Sequence, residues 1–449
     1  MTRPKRRIDY HFLGHQWELW QATARHAVLF GGVGSGKTDF GGLWIYKKLK
    51  EVESWPRDKA QAIIAANTYD QLIHSTIRNI FGNWRRWGIQ FEPSEVPRAS
   101  APFTLRVLVN GEWRDCLCRS LNYPDTIRGT EVGFADIDEF VGTTKEAVDI
   151  VNSRVRASEQ PSNQILYTST KDDPSHWSHE MFVEKFDAKV MKIVEATSYE
   201  NPHLPDGFVD SLKATYGTRQ FEREVLNKWV ALTGGLVYYT FDRSIHVDEA
   251  AEHDPALPVI WSHDFNIGEG KPMSSVMCQV KRGYSPAGEA RDELHAFDEI
   301  VIDTADTNDA IEEWFGRYGD TIPLSAVTIC GDASGRSKDT RSKTSDYGLL
   351  RDAGFTVQDV PTHNPPIRSR HNLVNGLFKS ASGDIRARIH PRCRTLAKGC
   401  ETVRMKPGAS NVELETREQH VTTAWGYLAC TKMDSGRRVT SGRRLVGAA

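Results

Sequence analysis

The chain lacks any apolar run approaching the roughly 18 residues that a membrane-spanning helix needs, which excludes a helical span. Its start, Met1-Thr2-Arg3-Pro4-Lys5-Arg6-Arg7, is basic, but no apolar run follows, so it does not have the form of a secretory signal. Cysteine is scarce: seven residues, an odd count with no framework spacing, point to free thiols in a reducing cytosol. Cys116 and Cys118 stand too close for a zinc knuckle, and a zinc site from His390, Cys393 and Cys400 is disfavoured. Excess charge is lacking too, since 57 Lys+Arg face 59 Asp+Glu. That balance excludes a wholesale basic nucleic-acid coat, though not a local basic groove. With 39% hydrophobic residues the chain is not disordered, and it has neither an internal repeat nor a low-complexity block.

A length of 449 residues is too great for one ordinary domain and suggests two of about 200 residues each. In the first half, short apolar strands at 26–30, 61–66, 134–137 and 164–168 alternate with helical patterns at 70–81 and 145–156, which predicts an α/β domain with a parallel sheet. A last helix is expected over 207–226. The second half starts with three successive strands at 259–264, 274–280 and 293–300, then a helix over 307–318 and a strand over 326–331. That order predicts a mixed sheet flanked by helices. The expected divisions are a first domain over 1–235, a linker over 236–257, a second domain over 258–434 and a flexible basic tail over 435–449.

Gly31-Gly32-Val33-Gly34-Ser35-Gly36-Lys37-Thr38 fits G-x-x-x-x-G-K-[ST], after an apolar strand and before a helical run. In such a loop Gly31, Gly34, Ser35 and Gly36 let backbone amides turn inward on a β-phosphate. Lys37 bridges the β- and γ-phosphates of ATP, and the Thr38 hydroxyl meets Mg2+. Phe134-Ala135-Asp136-Ile137-Asp138-Glu139 supplies the acidic partner: Asp138 for Mg2+ through water, Glu139 to polarise the attacking water. Gln16 stands where ATP motors read adenine, against the plain reading of a surface glutamine. Arg128 is a candidate charge sensor or arginine finger, with a surface salt bridge as its alternative. Thr168-Ser169-Thr170, at the end of an apolar strand, is placed to sense the γ-phosphate and couple hydrolysis to movement.

In the second half, Asp264 closes one strand, Glu299 (beside Asp298) another, and Asp332 a third. Carboxylates at adjacent strand ends repel unless cations offset them, which is the arrangement of a two-ion Mg2+ or Mn2+ site for phosphodiester cleavage. For any single acid a turn-capping role is the alternative. Arg336, Lys338, Arg341 and Lys343 follow Asp332 in a polar loop suited to DNA phosphates, or simply to solvent. The pairs Arg437-Arg438 and Arg443-Arg444 suit either DNA or an acidic protein.

Taken in order, these motifs resemble the large terminase subunit of tailed double-stranded DNA phages or prophages over nearly the whole chain. The likeness runs from Gln16 and the loop through Ile127-Arg128-Gly129, Asp138-Glu139 and Thr168-Ser169-Thr170. It continues through Asn201-Pro202, Lys228-Trp229 and Gly235-Leu236-Val237-Tyr238 to Asp264 and Gly331-Asp332-Ala333-Ser334-Gly335. The resemblance implies a P-loop (RecA/ASCE-like) ATPase domain joined to an RNase H-like nuclease domain. It implies ATP-driven packaging of double-stranded DNA through a portal protein into a procapsid, with endonucleolytic cutting of concatemers. It further implies a small terminase subunit as partner, a homo-oligomeric ring on the portal, and the bacterial cytoplasm as location. Two departures stand out. Val33 occupies a place where many family members carry arginine, which shifts that role to Arg128 or a neighbouring subunit. Thr423, in His420-Val421-Thr422-Thr423-Ala424-Trp425-Gly426-Tyr427, occupies the usual place of an aspartate, with Glu418, His420 or Glu299 as candidate substitutes. A translocase with a degenerate, non-cleaving second domain is therefore the main alternative. A cellular P-loop helicase or repair ATPase is another, and a non-enzymatic scaffold the last; the acidic strand paired with Lys37 argues against the scaffold.

Overall fold

Strand β1 (His26–Gly31) is buried along its whole length, as a near-continuous apolar run demands of a central parallel strand. Its residues alternate between two cores: Ala27 and Leu29 pack on one face, Val28 and Phe30 on the other. The computed structural model describes residues 10–52, 62–97, 101–157, 163–231, 235–265, 271–285, 288–337, 344–358, 360–406 and 412–433. By internal contacts the chain divides into Met1–Val209 with Glu222–Ala231, and Asp210–Phe221 with Leu232–Ala449. Residues 236–257, expected as a linker, fall within the second unit, and the tail over 435–449 lies outside the described residues.

The first unit adds β2 (Ala62–Ala66), β3 (Phe91–Glu92), β4 (Phe103–Val109), β5 (Glu112–Ser120), β6 (Phe134–Asp138), β7 (Gln164–Ser169) and β8 (Met191–Ala196). The sheet order is β3-β4-β5-β2-β6-β7-β1-β8. From β5 to β8 all neighbours are parallel, while β3, β4 and β5 are antiparallel. The β4–β5 hairpin turns at Asn110-Gly111, both at positive φ (52° and 84°), the pairing that matches the twist of a two-residue turn. The helix expected over 70–81 is the first part of a helical run from Tyr69 to Trp87, capped by the Thr68 hydroxyl and stopped by Gly88 at φ 69°. The helix expected over 207–226 is instead two, Phe208–Thr215 and Thr218–Glu224. The break falls at Gly217, which bridges Ser380 and where a Cβ would come within 3.0 Å of Tyr239 Oη.

The second unit holds β9 (Val259–Asp264), β10 (Met273–Tyr284), β11 (Ala290–Ile302), β12 (Val327–Gly331), β13 (Thr356–Val357) and β14 (Ala387–Ile389), in the order β13-β12-β9-β10-β11-β14. Only β9–β10 and β10–β11 are antiparallel, so the sheet is mixed, as its strand order predicts. The final helix, Arg417–Lys432, buries residues 420–430 without a polar side, because it lies across the sheet and other helices pack against it.

Candidate active sites

Parallel pairing sets the first site. β7 lies between β1 and β6, with Phe30 opposite Ser169 and Thr168 opposite Asp138. The loop leaving β1, the hydroxyls ending β7 and the acids ending β6 therefore share one end of the sheet, at the C-termini of its parallel strands. Gly34 and Gly36 sit at φ 73° and 83°, and a Cβ at either would come within 2.8 Å of Leu204 or Gln16, so side chains fit neither the backbone nor the space. Lys37 opens the helix Lys37–Lys50, and its Nζ lies 3.2 Å from Glu139 Oε1.

Asp138 is buried among three hydroxyls: Thr168 donates to Oδ1 at 2.7 Å, Thr76 to Oδ2 at 2.8 Å, and Thr38 to Oδ1 at 3.3 Å. Burial, and then the charge of Glu139, hold its carboxyl above the usual range, against the Thr168 and Thr76 hydroxyls and Lys37. A carboxylate and a hydroxyl among hard oxygens, in a place where negative charge is costly, fit Mg2+. Glu139 stands at φ 51°, a left-handed conformation costing about 1–2 kcal/mol for a side-chain-bearing residue. Phe140, buried against Phe30, Tyr167 and Phe182, anchors that turn. Ser169 Oγ donates to Glu139 Oε2 at 3.1 Å, and Thr170 Oγ1 to the Gly31 carbonyl at 2.9 Å. The three hydroxyls of Thr168-Ser169-Thr170 thus reach the two acids and the loop in turn.

Two softer expectations fare differently. Gln16 does lie at the loop, but its amide is engaged there: Nε2 donates to the Gly36 carbonyl at 3.0 Å and Oε1 accepts from Leu13 N at 3.0 Å. In this structure its side chain holds loop and helix backbone. Arg128 is half exposed and ion-paired with Asp125 at 2.6 Å and Glu146 at 3.8 Å, so the structure gives it the salt bridge and no contact with the loop.

In the second unit, β9 and β12 are parallel neighbours, and Asp332 N donates to the His263 carbonyl at 3.1 Å, which sets Asp264 and Asp332 side by side at one sheet end. His420 Nδ1 lies 3.0 Å from Asp264 Oδ2; Asn364 Nδ2 donates to Asp332 Oδ1 at 3.0 Å. Glu299 is not part of this pair. Strand β11, expected over 293–300, runs on to Ile302, past an irregularity in its pairing with β10. Both Glu299 oxygens accept amides that open the helix Arg394–Thr402, from Thr395 at 2.7 Å and Leu396 at 2.8 Å. Of the candidates to replace an aspartate at 423, Glu418 pairs with Lys398 and His420 alone bonds Asp264. Thr423 Oγ1 accepts from Gln419. Among the described residues no group of three or more His, Cys, Asp or Glu is arranged to hold a metal ion, so the three-acid, two-ion set expected from the sequence is not assembled. His390, Cys393 and Cys400 form no such group either. Arg336 is exposed beside Asp332 and reaches the Val360 carbonyl; Lys338, Arg341 and Lys343 lie outside the described residues.

Sequence reasoning missed a buried network behind the acids. Glu413 accepts from His371, Arg370 (3.5 Å) and Gln419, and Arg370 stacks over Tyr427 at 5.0 Å.

A parallel-rich P-loop sheet followed by a mixed sheet with paired acids defines an α/β protein of two parts, an ATPase fold and an RNase H-like nuclease fold. Residues 28–245 match the family described as the N-terminal part of the T4-like-virus-type large terminase subunit. Over those residues, just under half of its length, the chain is similar to the large terminase subunits. The large terminase of a thermophilic bacteriophage has the same fold, with a TM-score of 0.70 at 15% identity over 94% of this chain and 100% of that one. The complex of that phage terminase with ADP gives 0.70 at 16% identity, and its complex with ATP-γ-S 0.68 at 16%, each over those same shares. A search of curated proteins gave no match. Among the described residues no helix is long and apolar enough to cross a membrane.

Proposed function

We propose that the chain is an ATP-driven DNA-packaging motor. The observation that carries this is the convergence of Lys37, Asp138, Glu139, Thr168 and Ser169 at one end of the parallel strands. Loop amides and Lys37 hold the phosphates, and Thr38 and Asp138 supply the oxygens that suit Mg2+. Glu139 orients and deprotonates the attacking water. When it does so, its bonds to Lys37 and Ser169 change, and Thr168-Ser169-Thr170 passes that change to the loop. Double-stranded DNA, a portal protein and a small terminase subunit are the proposed partners, with a ring on the procapsid portal in the bacterial cytoplasm as the assembly. DNA-stimulated phosphate release by the full chain tests the motor, and its survival in Lys37→Ala would refute it.

For the second unit we propose metal-dependent DNA cleavage at Asp264 and Asp332, with His420 orienting Asp264. The second reading is a translocase whose nuclease fold does not cut, favoured by Thr423 and by the engagement of Glu299 elsewhere. Incubation with supercoiled plasmid and Mn2+ separates them. Linearisation that falls at least 100-fold in Asp264→Asn supports cleavage; an intact plasmid with the parent chain supports the second reading.

A further inference from the structure

The outer side of the phosphate loop is held by side chains that the proposed mechanism does not use. Ser198 Oγ donates to the Val33 carbonyl at 2.6 Å and Asn201 Nδ2 to the Gly34 carbonyl at 2.6 Å. His15 Nε2 meets the Ser35 carbonyl at 2.9 Å, and Gln16 Nε2 donates to the Gly36 carbonyl at 3.0 Å. Four successive carbonyls are therefore gripped from two segments that lie far apart in sequence, 15–16 and 198–201. The backbone joins in: Val33 N donates to the Glu224 carbonyl at 2.7 Å, so both backbone polar groups of Val33 are taken. Asn227, buried at φ 54°, donates to the Phe30 carbonyl at 2.8 Å and accepts from Lys171 N at 3.2 Å, tying the root of the loop to the segment after β7.

A trans peptide is planar, with its C=O and the next N–H pointing opposite ways. Fixing the carbonyls of residues 33–36 outward therefore turns the amides of Gly34, Ser35, Gly36 and Lys37 inward. Ser35 N closes a turn on the Gly32 carbonyl at 3.1 Å; by peptide planarity the amides of Gly34, Gly36 and Lys37 are the ones offered to a phosphate. We propose that Ser198 and Asn201, opposite His15 and Gln16, are positioning residues that set the phosphate-binding form of the loop from behind. This rests on the reading that the loop binds a nucleotide. It assigns the segment after β8 a part in affinity for the diphosphate, separate from the hydrolytic role of Glu139.

Binding of a fluorescent ADP analogue with Mg2+ to the full chain, alongside steady-state ATP turnover, tests it. Ser198→Ala and Asn201→Ala should each raise the Kd about 5- to 10-fold, the scale of one lost hydrogen bond. The kcat at saturating ATP should stay within about threefold. Ser198→Thr, which keeps the hydroxyl, should bind within about twofold of the parent. Should Asn201→Ala fail to fold, the Ala and Thr variants at 198 still decide. Affinities within twofold of the parent in both alanine variants, or a fall in kcat at unchanged Kd, would overturn the proposal. A parent chain that does not bind ADP, or Lys37→Ala that binds it equally well, would instead remove the nucleotide reading and this inference with it.

Discussion

Replacing Glu139 by glutamine is expected to lower kcat for ATP by roughly 100- to 10,000-fold, the range that a positioned general base contributes. Nucleotide affinity should hold or rise. The reason is the ion pair: Lys37 Nζ sits 3.2 Å from Glu139 Oε1, so a phosphate entering the loop competes with Glu139 for that ammonium. An amide at 139 keeps the shape and the bond from Ser169 but no longer competes as an anion. It also removes one of the charges that push Asp138 upward. Stopped-flow binding and phosphate release on the same preparation would show the split. Turnover within tenfold of the parent would mean that another group activates the water.

How much of this was legible in the sequence follows the range of the constraint. The loop, Lys37 and Asp138-Glu139 were legible because glycines at positive φ, a following helix and an acidic strand end are local demands. The Asn110-Gly111 hairpin was equally local, yet its signal was passed over. Glu299 failed for a definable reason. Its place near the end of a strand expected over 293–300 suggests a metal ligand, but the strand runs on to Ile302; Asp298 is taken by Tyr318 and Arg317, and Glu299 by two helix amides, so the strand tolerates both. Ser198 and Asn201 were beyond reach for a different reason. A serine in a loop becomes informative only when one knows which carbonyl faces it, and here that carbonyl is 165 positions away. The mixed sheet was foreseen from strand order, whereas the position of the final helix over it, and hence of His420 and Thr423, was not.

The largest stability effect is expected at Glu413. Its carboxylate is buried with Arg370 and His371, and Gln419 links it to Thr423 on the final helix. Burial alone would push this carboxyl up. The hydrogen bond and charge of His371, the charge of Arg370 and the Gln419 amide outweigh it and hold the group at about 2. Burial also draws His371 below its ordinary value, so Arg370 is the partner that keeps its charge throughout. Glu413→Ala leaves the Arg370 guanidinium, 3% exposed, without its carboxylate, a loss of about 3–5 kcal/mol. In the second unit that corresponds to a fall of roughly 6–20 °C in Tm. The pH dependence has a definite sign. A carboxyl held below its unfolded value near 4.5 contributes stability that is complete above that pH and lost as pH falls toward about 2. Glu413→Gln, which keeps the shape without the charge, should therefore differ most from the parent at neutral pH and converge on it by about 3 kcal/mol between those limits. Denaturant titrations of the full chain across that interval would show the convergence. A constant offset would mean that shape, and not charge, is what Glu413 supplies to the wall behind Asp264.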